Sequence, residues 1–297
     1  MSWTLFTFFA VILQTFRNLE QKNLNKKLDT LTVSWSRFIL PLPLAIIGVT
    51  YSFLTVDNWF IFHCLIAAIF QIGGNSFLLK TIKSKNFGVG VAFYKTEVLQ
   101  ALLVGTIFFN QQVSALGVLA IFITTIGMVL MANINFSSQE NFFKKLDKSA
   151  LFGTFSGSCF AVSSFNLKFA AQRLIDSGND FTISALLVLL WIIFFQNIFF
   201  LLVKSSQNRL RQDLKNLFSA ENKFAFVKTG CLSFAGSFCW FCAFAIGNVV
   251  YVKAMGQLEL VFAVAISYFY LKERHSFKEF LGIIFTAFGI FILVLFH

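Results

Sequence analysis

Apolar segments long enough to cross a lipid bilayer recur along almost the whole 297-residue chain. A spanning helix needs about 20 consecutive, mostly apolar residues, and ten segments meet this requirement. They are predicted at residues 2–19, 35–55, 59–79, 87–109, 113–134, 149–171, 181–203, 224–246, 248–271 and 277–297. Lipid offers no partner for backbone N–H and C=O groups, so each span is predicted to be a helix rather than a strand of an open sheet.

The composition agrees with a chain that faces lipid. Only 12% of its residues are charged, about half of the roughly 25% that is typical of a soluble domain. The net charge of +11 does not indicate a nucleic-acid partner, because the basic residues cluster in short segments between the apolar runs. The expected surroundings are therefore a lipid bilayer, and no nucleic acid is expected to bind.

The basic residues also predict the orientation in the membrane. Twenty of the 24 Lys and Arg residues lie in or beside the odd-numbered connections between spans, whereas Arg173 and Lys168 lie on the opposite side. Connections rich in Lys and Arg face the cytoplasm. We therefore predict a multi-pass plasma membrane protein with both termini outside, and a bacterial inner membrane is the expected location.

The chain is predicted to contain two related halves. A polar segment at 135–148, expected to be a cytoplasmic linker, separates residues 1–134 from residues 149–297, and each half holds five predicted spans. An odd number of spans inverts the second half in the membrane relative to the first. Two pairs of like residues lie 162 positions apart in the halves, Asn86 with Asn248 and Glu97 with Glu259. The predicted fold is an all-α membrane protein with ten transmembrane helices in two inverted five-helix repeats.

The most deeply placed charged residues of the predicted spans are Lys95, Glu97, Lys253 and Glu259. A charge there costs at least ~2.5 kcal/mol, so the presence of each of these residues requires a structural or functional explanation. The carboxylates either line a central cavity and take up protons, or fix the packing of helices. Helical spacing turns each lysine away from the glutamate of its own span. Each lysine must therefore meet another helix, the other repeat or a ligand.

Three neutral polar residues inside spans are further candidates for substrate binding or coupling: Gln71, Asn75 and Asn166. In membranes such residues also join helices by hydrogen bonds, so both roles remain open. Arg37 lies near a span end, where its side chain is expected to reach the interface. Pro41 and Pro43 are expected to loosen the second span.

The C-terminal region carries a more specific pattern. Glu259-Leu-Val-Phe-Ala-Val264 is followed by Tyr270-Leu-Lys-Glu-Arg274 and by glycines at Gly282 and Gly289. This pattern resembles the drug/metabolite transporter superfamily of the EamA type, whose members are ten-helix carriers made of two five-helix repeats. In the first half, Phe109-Asn-Gln-Gln112 stands where the family has its L-x-E-R turn. The resemblance implies a transporter rather than an enzyme.

The leading functional prediction is a secondary carrier that works by alternating access. No nucleotide-binding motif is present, so a proton or substrate gradient is the expected energy source, and no cofactor or metal is expected. Unpaired charge on Lys95 and Lys253 would favour an anionic or zwitterionic metabolite such as an amino acid. The alternatives are an efflux carrier for cationic or amphipathic drugs, a membrane-embedded enzyme and a passive channel. The carrier is expected to be a monomer or a homodimer.

The predicted orientation can be tested by cysteine labelling of intact cells. A cysteine added after His297 should react with a membrane-impermeant maleimide, because the terminus is predicted to lie outside. A cysteine in the predicted cytoplasmic segment 204–223 is the matched control and should react only after permeabilisation. The opposite pattern at the two positions would overturn the orientation.

Overall fold

Every regular element that the computed structural model describes is an α-helix. The described residues are 3–53, 55–83, 93–131, 148–269 and 276–295. Their helices are α1 (Trp3–Asn25), α2 (Thr30–Ile39), α3 (Leu42–Ser52), α4 (Asn58–Lys83), α5 (Glu97–Phe108), α6 (Ala115–Met131), α7 (Lys148–Asp176), α8 (Phe181–Ser206), α9 (Leu210–Leu217), α10 (Lys223–Ile246), α11 (Val249–Met255), α12 (Leu258–Phe269) and α13 (Phe277–Leu295). The prediction of an all-helical chain is confirmed for these residues.

Within the described residues, four helices are long and apolar enough to cross a membrane. These are α4, α8, α10 and α13, and the bent pair α2–α3 adds a fifth if it counts as one span. Such spans fit a membrane protein. The number of ten spans and the inverted repeats remain predictions. The loop pattern at 270–274 and the residue Asn86 lie outside the described residues.

The second predicted span is bent by 56° where α2 ends and α3 begins. Pro41 and Pro43 lie at this bend. A proline has no N–H to donate, and its ring clashes with the carbonyl four residues earlier, so this pair interrupts a continuous helix. The two prolines therefore account for the break in the second predicted span, and its loosening remains a prediction.

The chain forms two compact units, and each unit contains segments from both predicted halves. Unit 1 consists of Met1–Ile72 and Ser163–Ile246, and unit 2 consists of Gly73–Val162 and Gly247–His297. In unit 1, α10 packs against α1, α2 and α8, and α8 also packs against α3. In unit 2, α13 packs against α6, and α11 packs against α5. The predicted repeat boundary at 135–148 remains a prediction.

A buried lysine in unit 1 joins the ends of three helices. Lys204 is 1% exposed and lies in the last turn of α8. Its Nζ is 2.9 Å from a carboxylate oxygen of Asp29, the N-cap residue of α2, and 2.8 Å from a carboxylate oxygen of Asp213 in α9. Burial raises the pKa of Asp29, but hydrogen bonds from Thr32 and Lys204 outweigh burial and lower this pKa to about 2. Asp29 is therefore ionised at neutral pH, and charge-assisted bonds hold the helix ends together.

Helices α6 and α13 of unit 2 approach closely because a glycine lies on each side of their contact. A Cβ atom added at Gly127 would lie 2.6 Å from the backbone N of Thr286, and one at Gly289 would lie 2.9 Å from the backbone N of Thr124. The contact is reciprocal, since each of these residues has its counterpart 162 positions away. The same offset relates Glu97 to Glu259.

Filling the glycine contact should destabilise the protein. Gly127→Ala places a Cβ against backbone atoms that cannot move aside, so we expect a loss of about 1–3 kcal/mol in the free energy of unfolding. Gly73→Ala in α4 is the matched control, because its Cβ would lie 3.4 Å from the Cys159 Sγ, an ordinary contact distance. Thermal unfolding in detergent would compare the two, and equal midpoints would contradict the close approach.

Candidate functional site

Four charged side chains of unit 2 form two ion pairs. Lys95 Nζ lies 2.6 Å from Glu259 Oε2, and Lys253 Nζ lies 3.4 Å from Glu97 Oε1. All four residues are between 4% and 8% exposed. The pairs connect α5 and the residues just before it with α11 and α12. We call these four residues the charge cluster.

Three of the four charges lie at a helix end that favours their sign. Glu97 is the first residue of α5, and Glu259 lies in the first turn of α12, where the positive end of a helix dipole stabilises a carboxylate. Lys253 lies in the last turn of α11, where the negative end stabilises an ammonium group. The predicted ninth span is therefore not one uninterrupted helix. The break at Gly256 and Gln257 provides two of these helix ends.

The start of α11 is fixed to the segment that precedes α6. Asn248 caps α11 by accepting a hydrogen bond from the backbone N–H of Val250 at 2.9 Å, and its side-chain amide donates to the Gln112 carbonyl at 3.0 Å. The Tyr251 hydroxyl accepts a hydrogen bond from the backbone N–H of Ser114 at 2.9 Å. These bonds hold the short helix that carries Lys253.

The structure shows which of the predicted partners each of the two lysines has. Each lysine pairs with the glutamate of the other predicted span, in agreement with the helical spacing, which excluded only the glutamate of its own span. The expectation of unpaired positive charge on Lys95 and Lys253 is wrong, since two lysines and two glutamates give the cluster no net charge. The cluster therefore offers a substrate no net charge.

Two aromatic rings and a glycine border the charge cluster. Lys95 Nζ lies 5.0 Å from the ring centroid of Tyr94, and Lys253 Nζ lies 5.7 Å from that of Phe160. The rings contact each other edge-on, with centroids 5.9 Å apart. At Gly157 a Cβ atom would lie 2.8 Å from the Tyr94 carbonyl oxygen, so glycine allows α7 to approach this site. Because 18% of the residues are aromatic, the sequence alone gave no reason to single out Tyr94 and Phe160.

Hydrogen-bonding groups at and beside the cluster remain unused within the described part of the chain. Glu97 Oε2 has no hydrogen-bond partner there. Neither amide atom of Gln257 has one, although Gln257 is only 1% exposed. Buried polar groups are rarely left in this state. The sequence prediction omitted Gln257, although its position, 162 residues after Lys95 and two before Glu259, offered a signal.

The other predicted site residues have different neighbours. Gln71 and Asn166 belong to unit 1, where the Gln196 Nε2 donates to the Gln71 Oε1 at 3.1 Å and Asn166 Oδ1 lies 2.8 Å from His63 Nδ1. Asn75 lies on the part of α4 that belongs to unit 2 and is 1% exposed. The structure therefore brings together the four charged candidates, while Gln71 and Asn166 each join helices within unit 1.

The apolar helices and the buried charges fit a class of multi-pass membrane transporters, and comparison with known proteins identifies the family. The model of the EamA-like transporter family matches residues 148–295. The chain is a member of the drug/metabolite transporter superfamily. Proteins of the EamA family are transporters rather than enzymes.

Comparison with curated proteins and solved structures adds evidence on the fold alone. No curated protein matches the chain. One solved crystal structure, described only as that of a protein, superimposes with a TM-score of 0.68 at 13% sequence identity. The match covers 99% of this chain and 96% of that chain. The fold is therefore shared along nearly the whole length of both proteins.

Removing one member of a buried ion pair should destabilise the protein more than removing both. Lys95→Met or Glu259→Gln leaves a buried charge without its partner, so we expect each to lower the free energy of unfolding by about 3–5 kcal/mol. The double variant should recover much of this loss. A double-mutant cycle in detergent should then give a coupling free energy of at least about 3 kcal/mol, because the double variant loses less than either single variant.

The exposed pair Lys27–Glu221 is the matched control for this cycle. Its atoms lie 2.5 Å apart, but its side chains are 47% and 72% exposed. Water screens such a pair, so its coupling free energy should stay below about 1 kcal/mol. Equal coupling in the two cycles would contradict a desolvated pair between Lys95 and Glu259.

Proposed function

We propose that the protein is a secondary transporter that carries a small zwitterionic metabolite, such as an amino acid, by alternating access. The charge cluster of Lys95, Glu97, Lys253 and Glu259 is the proposed substrate and coupling site. The observation that carries the proposal is the pairing of all four buried charges into a neutral cluster.

Charge balance supports a zwitterion over a simple ion. A substrate that opens one ion pair can place its carboxylate on the lysine and its ammonium group on the glutamate, so every buried charge keeps a partner. A simple anion or cation would leave one buried charge without compensation, which is costly in a medium of low dielectric constant. Both the anionic metabolite and the cationic drug are therefore less favoured.

The longer of the two ion pairs is the proposed point of entry. Lys253 and Glu97 are 3.4 Å apart, compared with 2.6 Å for the other pair, and Glu97 Oε2 has no hydrogen-bond partner among the described residues. The amide of Gln257 offers further donors and an acceptor two residues from Glu259. The face of Phe160 lies near the Lys253 ammonium, and such a face also favours a substrate ammonium group.

The same contacts support proton coupling. Protonation of Glu97 or Glu259 would remove the negative charge that holds its lysine, so that the lysine could bind a substrate carboxylate. The reciprocal contact of α6 and α13 supports a two-fold relation between the halves, because its two sides exchange at an offset of 162. Such a relation is the usual basis of alternating access.

A charge-exchanged variant separates transport from a purely structural role. Glu97→Lys/Lys253→Glu keeps an ion pair at the proposed point of entry but reverses it, so a bound zwitterion would face the wrong charges. In reconstituted vesicles we expect transport of zwitterionic amino acids to fall at least about tenfold, which corresponds to about 1.4 kcal/mol. The unfolding midpoint, measured on the same preparation, should stay above that of either single variant.

The exchanged surface pair Lys27→Glu/Glu221→Lys is the control and should transport like the wild type. A panel of zwitterionic, anionic and cationic amino acids tests the substrate class, and tracer counterflow distinguishes a carrier from a channel. Full transport by the Glu97→Lys/Lys253→Glu variant would reduce this pair to a structural role. Transport of cationic substrates alone would contradict the proposal that the substrate is a zwitterion.

A further inference from the structure

Helix α9 connects the ends of α8 and α10, two helices that are long and apolar enough to cross a membrane. This position places α9 at the surface of the membrane. Asp213 and Leu217 lie on its buried side, whereas Arg211, Lys215 and Phe218 are exposed. The three exposed residues follow one another at intervals of four and three positions, so they share the outward face of the helix.

Ion pairs bring the C-terminal end of α1 to the same surface. Lys27 Nζ lies 2.5 Å from a carboxylate oxygen of Glu221, in the segment between α9 and α10. Lys228 Nζ, in α10, lies 3.3 Å from a carboxylate oxygen of Glu20 in α1. The end of α1, helix α9 and the start of α10 therefore form one continuous surface at this end of unit 1.

The acidic residues of this surface are already paired. Segments 17–29 and 204–228 contain four acidic residues, and each lies in an ion pair with Lys27, Lys204 or Lys228. Six other basic residues of these segments are exposed and form no ion pair within the described part of the chain. They are Lys22, Lys26, Arg209, Arg211, Lys215 and Lys223. We call these six residues the basic surface.

Exposed aromatic rings lie beside the basic surface. Phe218 is 53% exposed and Phe224 is 72% exposed. The Phe218 ring packs edge-on against Phe226, with centroids 5.0 Å apart, and Lys228 Nζ lies 4.3 Å from the Phe224 centroid. Aromatic and basic side chains occur together at membrane interfaces, where the rings contact acyl chains and the charges reach the headgroups. This combination matches a lipid, which joins acyl chains to a polar headgroup.

We propose that the basic surface binds the phosphate headgroups of anionic membrane lipids such as phosphatidylglycerol. Lys and Arg residues near a membrane surface attract anionic lipids, and these six have no carboxylate of the described chain as a competitor. Arg211 and Lys215 lie one turn apart on α9 and can donate to the same phosphate. The proposal uses none of the four residues of the charge cluster, so it does not rest on the transport of a zwitterion.

Native mass spectrometry of the detergent-purified protein can compare phosphatidylglycerol with phosphatidylcholine of the same acyl chains. We expect phosphatidylglycerol to bind more tightly. Arg211→Gln/Lys215→Gln should weaken its binding about 25-fold, because each basic residue near a membrane surface contributes about fivefold. Binding of phosphatidylcholine should not change. Both side chains are exposed, so the variant should unfold at about the wild-type midpoint.

Lys80→Gln/Lys278→Gln is the matched control. It removes two exposed positive charges from unit 2, in or beside connections predicted to lie on the same side of the membrane, and should bind phosphatidylglycerol like the wild type. Glycerol phosphate carries the anionic group without acyl chains and should not compete at the same concentration. Equal affinity for the two lipids, unchanged affinity in Arg211→Gln/Lys215→Gln, an equal loss in the control, or full competition by glycerol phosphate would each overturn the proposal.

Discussion

The cost of a buried charge is the constraint on which unit 2 depends. Lys95, Glu97, Lys253 and Glu259 are each less than 10% exposed, and a charge buried there without an opposite charge is energetically costly. Their pairing joins α5 to α11 and α12, and the helix ends at Glu97, Lys253 and Glu259 stabilise the charges further. The interruption between α11 and α12 therefore helps to stabilise the buried charges, because an unbroken helix would lack the helix ends at Lys253 and Glu259.

Much of the fold could be predicted because bilayer thickness and backbone hydrogen bonding leave few choices. The apolar runs predicted helices, and Pro41 and Pro43 predicted a weakened second span, where the structure has a bend. The spacing of Lys95 and Lys253 from their own glutamates excluded pairing within one helix. The sequence could not decide among another helix, the other repeat and a ligand, since that decision depends on which elements pack together.

Sequence reasoning missed some residues because their surroundings depend on tertiary packing and not on a local sequence pattern. Gln257 and Phe160 are ordinary residues in a chain rich in apolar and aromatic side chains, and only packing brings the Phe160 ring near Lys253. Arg37 lies near the end of a predicted span, where a long side chain usually reaches water. The bend at Pro41 ends α2 just after Arg37, and the packing of α2 against α10 leaves this arginine buried.

The two ion pairs are not equivalent, and this asymmetry bears on the proposed cycle. Glu97 and Glu259 correspond at the offset of 162, but the counterpart of Lys95 is Gln257, and Lys253 lies four residues, or about one helical turn, before it. The two glutamates therefore occupy equivalent positions in the two predicted repeats, whereas the two lysines do not. One pair is short and the other is longer, with an oxygen of Glu97 left over. A substrate that opens the Lys253–Glu97 pair would leave Lys95–Glu259 to hold α12 near α5, so binding need not disrupt the packing of the unit. A symmetric cluster would offer no such division between the pair that opens and the pair that holds.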